Sequence, residues 1–183
     1  MKKVKIYYMI MLAALLTSCD FKCSVGDNKS GTKTKTVSSS DNSALNGAII
    51  KNDIELEVTG VKLKEAYLVD ADDNLLTENV TRVGEKIYVV IKVDTGWVKE
   101  KGLSFIGAGE RISTKAGAVV VDADDIFKDY GETGIDAEDA KVVRLSAVIT
   151  KADSGIENFV VQFRVWDKKG KGEVKGKYKF KLL

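Results

Sequence analysis

Residues 44–183 are predicted to form an all-β fold, an antiparallel β-sandwich of about seven to nine strands with one short helix. Three features of the sequence lead to this prediction. Hydrophobic side chains recur at every second position through most of the region, which is the spacing of a half-buried strand. Polar or glycine-containing turns separate these segments at short intervals. Helical spacing occurs only in residues 123–130.

The clearest alternation lies near the C-terminus. It predicts three strands, at residues 141–151, 157–167 and 173–182. In the second of these, the hydrophobic Phe163 is followed by the charged Arg164, and the same alternation runs through the whole segment. The two connections are short and contain glycine, so we expect the three strands to form an antiparallel meander.

The earlier part of the domain contains further strand patterns and the one helical segment. The predicted strands are residues 53–59, 61–69 and 86–94, with shorter candidates at 102–106 and 118–121. The predicted helix is residues 123–130, for which Asp122 or Asp124 would serve as the N-cap. How the strands divide between two sheets does not follow from the pattern.

The N-terminus has the composition of a secretory signal. Lys2, Lys3 and Lys5 form a basic segment, and residues 6–16 form an apolar segment after it. That apolar segment is too short to cross a bilayer, which takes about 20 residues. It ends at Leu16-Thr17-Ser18-Cys19, which resembles the lipobox of bacterial lipoprotein precursors.

This resemblance implies a covalent lipid anchor. In such precursors the cysteine, here Cys19, receives a diacylglycerol thioether, the chain is cut before it, and its new amino group is acylated. Residues 1–18 would then be the signal peptide, residues 19–43 the lipidated cysteine and a linker, and residues 44–183 the domain. The alternative is an ordinary signal peptide that is cut near Ser18 and leaves a free thiol.

The linker is predicted from its composition. Between residues 24 and 43 the only aliphatic side chains are Val25 and Val37, and the rest are mainly Ser, Thr, Lys, Gly, Asn and Asp. Such a segment buries too little apolar area to offset the entropy of ordering it. We expect a flexible tether that holds the domain roughly 25–30 Å from a membrane surface.

Composition excludes several function classes. The formal charge of +2 becomes −1 once Lys2, Lys3 and Lys5 are removed, so no basic footprint for nucleic acid exists. Histidine is absent, which removes the commonest general base and the commonest transition-metal ligand. The domain also lacks the Gly-x-Ser-x-Gly and Ser-x-x-Lys patterns of serine nucleophiles. We expect neither catalysis nor a cofactor.

An acidic stretch at residues 122–139 is the one candidate for a metal. Its first carboxylates, the weak candidates for calcium ligands, are Asp122, Asp124, Asp125 and Asp129. Calcium takes six to eight oxygen ligands. The segment begins like an EF-hand loop, but Ile126 and Phe127 stand where a ligand and the turn glycine belong. The favoured interpretation is a solvated helix start whose acids suit the helix dipole.

A ligand-binding patch is predicted on the last strands. Trp166, Arg164 and Gln162 share the face opposite the hydrophobic residues of their strand. Trp and Arg are enriched at binding hot spots, so these three are the candidates for ligand contacts. In the alternative, Trp166 covers the rim of the core and Arg164 stacks on it.

Lysines repeat at every second position of the final strand. They are Lys175, Lys177, Lys179 and Lys181. The favoured interpretation is an edge strand on which lysines prevent pairing with another sheet. The alternative is attraction to anionic headgroups or glycans.

Taken together, the chain is similar to small Ig-like lipoproteins of unknown function on bacterial envelopes. Cys19, the polar tether and the closing strands around residues 165–170 carry this resemblance. It implies a cell-envelope location, with the outer membrane or cell surface favoured over the periplasmic side. The expected partners are the membrane, through the lipid anchor, and an envelope protein or glycan, and the expected role is a non-catalytic binding module. The alternative is a calcium-dependent module or a carboxylate-based glycan hydrolase that uses residues 122–139.

Overall fold

The computed structural model describes residues 35–37, 47–152 and 157–183. The predicted signal peptide, Cys19 and most of the predicted linker lie outside the described residues. Within the described part of the chain, no helix is long and apolar enough to cross a membrane.

Eight strands of five residues or more dominate the described residues, with six shorter strands and two one-turn 3₁₀-helices. The first seven strands are β1 Lys35–Val37, β2 Ile49–Ile50, β3 Glu55–Thr59, β4 Lys62–Val69, β5 Val80–Thr81, β6 Lys86–Thr95 and β7 Lys99–Glu100. The others are β8 Leu103–Ser104, β9 Ile106–Thr114, β10 Val119–Ala123, β11 Ile135–Asp136, β12 Val142–Val148, β13 Asn158–Asp167 and β14 Glu173–Leu182. The 3₁₀-helices are Lys128–Tyr130 and Asp139–Lys141.

Two main sheets enclose the core. The larger has the order β1-β3-β14-β13-β9-β10, and β5 lies beside β14. The smaller has the order β12-β6-β4-β2, and a short three-stranded sheet of β11, β8 and β7 is separate from both. All pairs are antiparallel except the short pairs β2–β4 and β5–β14. The predicted all-β antiparallel sandwich is confirmed. Strand β1 lies within the segment that the sequence predicts as linker.

Hydrophobic residues of both main sheets form one buried cluster. The larger sheet contributes Phe159 and Tyr178, and the smaller sheet contributes Leu68 and Leu145, each with 2% or less of its surface exposed. Burying one such side chain stabilises the fold by about 1.5–3 kcal/mol, so the burial of hydrophobic side chains between the two sheets is the main source of stability.

The predicted hairpin of the last two strands is confirmed. Nine pairs of residues join β13 to β14, from Asn158 opposite Lys181 to Trp166 opposite Glu173. The buried Asp167 organises the turn, because its Oδ1 accepts hydrogen bonds from the backbone N–H groups of Lys169 and Gly170, both at 2.9 Å. Its Oδ2 accepts a third, from the N–H group of Val98 at 2.6 Å, which ties the hairpin to the segment between β6 and β7.

The predicted three-stranded meander is wrong. Strand β12 belongs to the smaller sheet, where Val143 lies opposite Ile91 and Leu145 opposite Val89. The place beside β13 is taken by β9 instead. Alternation shows that a strand has one buried face, but it does not show which strand lies next to it.

Strand β9 was not predicted, although it lies inside the larger sheet between β13 and β10. The predicted strand at residues 102–106 contains only β8 and the first residue of β9. Glu110 interrupts the alternation of Ile106, Ala108 and Ile112, and Gly107 and Gly109 occupy the positions between them. Glycine and glutamate are both depleted in strands, so local propensity argued against this element.

The predicted helix at residues 123–130 is also wrong, because only its last three residues form a 3₁₀-turn. Ala123 belongs to β10, and the turn has no side-chain N-cap. The carboxylate of Asp125 accepts hydrogen bonds from the backbone N–H groups of Ala108 and Phe127, at 3.3 and 3.0 Å. These bonds hold the segment against β9 in place of a helix.

Substituting Gly176 by alanine is expected to destabilise the sandwich. The new Cβ would overlap the Phe163 ring and lie 2.7 Å from Cδ2 of Leu56. Overpacking of this kind costs about 1–3 kcal/mol. Chemical denaturation should therefore give a free energy of unfolding about 2 kcal/mol below that of the wild type. The double variant with Phe163→Leu should recover part of the loss, and Lys175→Ala should change little. Unchanged stability of Gly176→Ala would contradict this packing account.

Candidate functional site

A groove of about 500 Å³ crosses the outer face of the larger sheet. It reaches five strands, β3, β14, β13, β9 and β10, and we call it the outer-face groove. Its lining consists of residues 55–57, 109–111, 122–124, 162–164 and 175–177, together with Trp166.

Main chain forms the floor of this groove and outward side chains form its walls. Leu56, Phe163 and Glu110 occupy the middle of three lining segments and have buried side chains. They lie in one row across the sheet, through the pairs Leu56–Gly176, Gly176–Phe163 and Phe163–Glu110. Because neighbours along a strand point to opposite faces, the residues before and after this row project into the groove.

One wall is a row of polar side chains centred on Gln162. Gln162 lies opposite Lys177 on one side and Arg111 on the other. The row ends in ion pairs, with 2.8 Å between Lys177 Nζ and Glu55 Oε2, and 3.8 Å between Arg111 Nη1 and Asp122 Oδ2. Within the described residues the amide of Gln162 has no hydrogen-bond partner, so it is available to a ligand.

The other wall contains Arg164 and Lys175, which share the carboxylate of Glu173 beside the groove. Glu173 accepts from Arg164 Nε at 2.5 Å and lies 2.8 Å from Lys175 Nζ. Partial burial alone would raise the pKa of Glu173, but the bonds from Lys175 and Arg164 outweigh it and hold that pKa below its usual value. The carboxylates of Glu57 and Asp124 also line the groove and have no ion-pair partner among the described residues.

The predicted patch of Trp166, Arg164 and Gln162 lies in this groove. The indole of Trp166 rests on Gly107, where any Cβ would overlap the ring. The guanidinium carbon of Arg164 lies 4.7 Å from the centroid of the ring. Arg164 is therefore stacked on Trp166, as in the rim-covering alternative, while all three residues line the groove.

The charges of the lining are balanced. The outward side chains include four acids, Glu55, Glu57, Asp122 and Asp124, and four bases, Arg111, Arg164, Lys175 and Lys177. With Glu173 beside them, all four bases of the lining have an acidic partner, whereas Glu57 and Asp124 have no ion-pair partner among the described residues.

The interpretation of the lysine repeat as edge protection is wrong. Strand β14 lies inside the larger sheet, with β13 on one side and β3 and β5 on the other. Lys175, Lys177 and Lys181 form ion pairs with Glu173, Glu55 and Glu157 respectively. These lysines act as partners for acids on the outer face of the sheet.

The four candidate calcium ligands do not form one site. Asp122 faces Arg111, Asp124 lines the groove, and Asp129 lies in the 3₁₀-turn. Asp125 lies 2.7 Å from Lys168 Nζ; partial burial would raise its pKa, but this ion pair and two backbone N–H groups lower it below its usual value. Within the described residues, no group of three or more acids or cysteines lies close enough together to hold a metal ion.

A second groove, of about 820 Å³, adjoins the first on the outer face. Glu55 and Lys177 line both grooves, so their ion pair stands at the boundary between them. The second groove continues along β14 to Lys179 and is shaped by Asn79, whose Nδ2 donates to the carbonyl oxygens of Asn52 and Lys179 at 2.8 and 3.0 Å.

Glu110 is a buried carboxyl group that sequence reasoning missed. Only 6% of its surface is exposed, and its Oε1 has no hydrogen-bond partner among the described residues. Burial raises the pKa of Glu110 to about 7. The hydroxyl of Tyr178 is likewise buried without a partner in the described chain, and burial followed by the Glu110 charge raises the pKa of Tyr178 well above its usual value. The sequence contains a signal for this burial, because Glu110 lies at an even spacing from Ile106 and Ile112 and so shares their face of the strand.

Comparison with known proteins adds little to this description. No family model and no curated protein matches the chain. Among solved structures, the chain is similar to the crystal structure of the C-terminal domain of wzt. The two are 14% identical with a TM-score of 0.42, and the match covers 68% of this chain and 74% of that one.

Glu110→Gln should change how stability depends on pH. The folded protein keeps a proton on Glu110 that the unfolded chain releases near pH 4.5, so its stability should fall as the pH rises from about 4.5 to about 7. Over this pH range the free energy of unfolding should fall by about 3 kcal/mol. Chemical denaturation of the wild type at a series of pH values should show this slope, and Glu110→Gln should lack it.

A matched control separates this effect from general electrostatics. Glu57→Gln removes an exposed carboxylate from the outer face of the same sheet and should leave the slope in place. Equal slopes for the wild type and Glu110→Gln would show that Glu110 is not the titrating group.

Proposed function

We propose that this chain is a cell-envelope lipoprotein whose β-sandwich is a non-catalytic binding module, with the outer-face groove as its ligand site. The observation that carries this proposal is the set of unpaired polar groups in that groove. Gln162, Glu57 and Asp124 offer donors and acceptors that no described residue uses. In ligand sites a small number of placed polar groups fixes the orientation of the ligand and provides specificity.

The arrangement of carboxyl groups favours binding over glycan hydrolysis. A glycosidase needs a carboxyl group of raised pKa beside the scissile bond to act as a general acid. Among the described residues, the acid whose pKa is raised is Glu110, and its side chain lies on the core face of the sheet. The outward acids Glu55 and Asp122 are each paired with a base.

A calcium-dependent module has less support. Asp122 and Asp125 are each held by a basic side chain, from Arg111 and Lys168. Moving either carboxylate to a metal would leave its basic partner without that ion pair. No observation on the described residues favours this second candidate.

The anchor of the proposed lipoprotein is Cys19. The lipobox-like segment at residues 16–19 and the polar composition of residues 24–43 support a lipid-anchored domain on a tether. Two or three acyl chains, at about 0.8 kcal/mol per buried methylene, make a stable anchor where one chain does not. An anchored binding module at the envelope has access to surface polymers and to other envelope proteins.

Cys19→Ala should abolish lipidation. Cells grown with labelled palmitate should label the wild type, because the thioether forms on Cys19, and should leave Cys19→Ala unlabelled. The matched control is Cys23→Ala, which keeps the lipobox and should be labelled like the wild type. Equal labelling of Cys19→Ala and the wild type would contradict the anchoring proposal.

Gln162→Trp should block the groove. The larger side chain would fill the centre of the wall, so immobilised protein should retain at least about tenfold less material from a solubilised envelope extract of its own cells. The control is Ser146→Trp, on an exposed position of the smaller sheet, which should retain as much as the wild type. If Gln162→Trp retains the same material in the same amount, the outer-face groove is not the site.

A further inference from the structure

We infer that the ligand of the outer-face groove is an uncharged, linear glycan. The inference rests on the proposed binding function and adds the chemical class of the ligand. It follows from five properties of the groove: the pairing of its basic side chains, its paired main-chain floor, the type of its free polar groups, the flat surface at one end, and its length.

The pairing of the basic side chains disfavours a negatively charged polymer. Lys177 pairs with Glu55, Arg111 pairs with Asp122, and Arg164 and Lys175 share Glu173, so no base of the lining is left without an acidic partner. A polyanion attracted to Lys175 or Lys177 would meet the carboxylates of Glu57 and Glu55, which lie directly opposite on β3. Binding of a polyanion draws on a positive field, and the acidic partners of the four bases cancel that field here.

The floor of the groove disfavours a peptide bound as an added strand. Strands β14, β13 and β9 each pair with neighbours on both sides, so their N–H and C=O groups already bond within the sheet. A peptide can extend a sheet only at a free edge. Recognition in the groove must therefore come from side chains.

The free side-chain groups match hydroxyl groups. The Gln162 amide both donates and accepts, while the carboxylates of Glu57 and Asp124 accept. A sugar hydroxyl donates one hydrogen bond and accepts others, so it can satisfy either kind of partner. Neighbouring groups are held in place by ion pairs, such as that of Arg111 with Asp122, which lowers the entropy lost on binding.

One end of the groove offers a flat surface of mixed polarity. The indole of Trp166 lies on Gly107 with the guanidinium of Arg164 stacked on it. Both groups are planar, and the indole combines a large apolar body with a polar edge. This surface suits a sugar ring, which has C–H bonds on its faces and hydroxyl groups around its edge.

The length of the groove suits a linear chain. Five strands at about 4.8 Å spacing give about 19 Å across the sheet, the length of a short oligosaccharide. Beyond the Glu55–Lys177 ion pair the surface continues into the second groove. A chain longer than the first groove can therefore extend past this pair.

Titration calorimetry on the purified full-length protein in detergent tests the inference. The probes are linear oligosaccharides cut from neutral mannan, β-glucan and galactan, with polygalacturonate and heparin fragments of similar length as charged comparators. At least one neutral series should bind, and its Kd should change less than about twofold between about 50 and about 500 mM NaCl, because screening acts on charged ligands. Gln162→Ala should weaken that binding about tenfold through the loss of a hydrogen bond, and Ser146→Ala should leave it unchanged.

Three outcomes would overturn the inference. Binding of the charged fragments alone, with steep weakening by salt, would exclude an uncharged ligand. Neutral binding that Gln162→Ala leaves unchanged would locate the glycan elsewhere on the chain. If no glycan binds while Gln162→Trp still abolishes retention of envelope material, the binding function stands and the glycan class fails.

Discussion

The position of β13 between β14 and β9 is the constraint on which the rest of the larger sheet depends. Phe163 lies opposite Gly176 on one side and opposite Glu110 on the other. Its ring fills the inner space that Gly176 leaves, a contact that a shift of one residue along the strand would remove. Side chains alternate between the two faces of a strand. This one set of pairs therefore determines, for each remaining residue of the three strands, whether its side chain points to the core or to solvent.

The same constraint produces the candidate site. With Phe163 directed inward, its neighbours Gln162 and Arg164 project outward, where Gln162 meets Lys177 and Arg111. The same strand register thus places the hydrophobic side chains in the core and the polar side chains in the groove. Each outward ion pair contributes little to stability by itself, as is usual for partly exposed pairs. Its larger effect is to hold polar side chains in place around the unpaired amide.

Much of the fold and part of the candidate site could be predicted from the sequence. The rest could not, for physical reasons. Alternation in β13 and β14 predicted the hairpin and showed that Trp166 shares a face with Gln162. Strand β9 was not predicted because Glu110 interrupts its buried alternation and Gly107 lowers its strand propensity, although the space for Trp166 requires that glycine. The groove itself needs β3 and β9 beside the hairpin, and those neighbours come from tertiary packing that no local pattern records.

The burial of Glu110 has a physical reason, which a comparison with the alternative register of β9 shows. A shift of one residue would turn Glu110 outward, but it would bury Arg111 and expose Ile112. A buried carboxyl group can become neutral by taking up a proton, and burial raises its pKa to about 7 here. A guanidinium has no such option, because it stays charged at any pH a protein meets. The shift would also move Gly107 away from the indole of Trp166, so the observed register gives the lower free energy on both faces of the sheet.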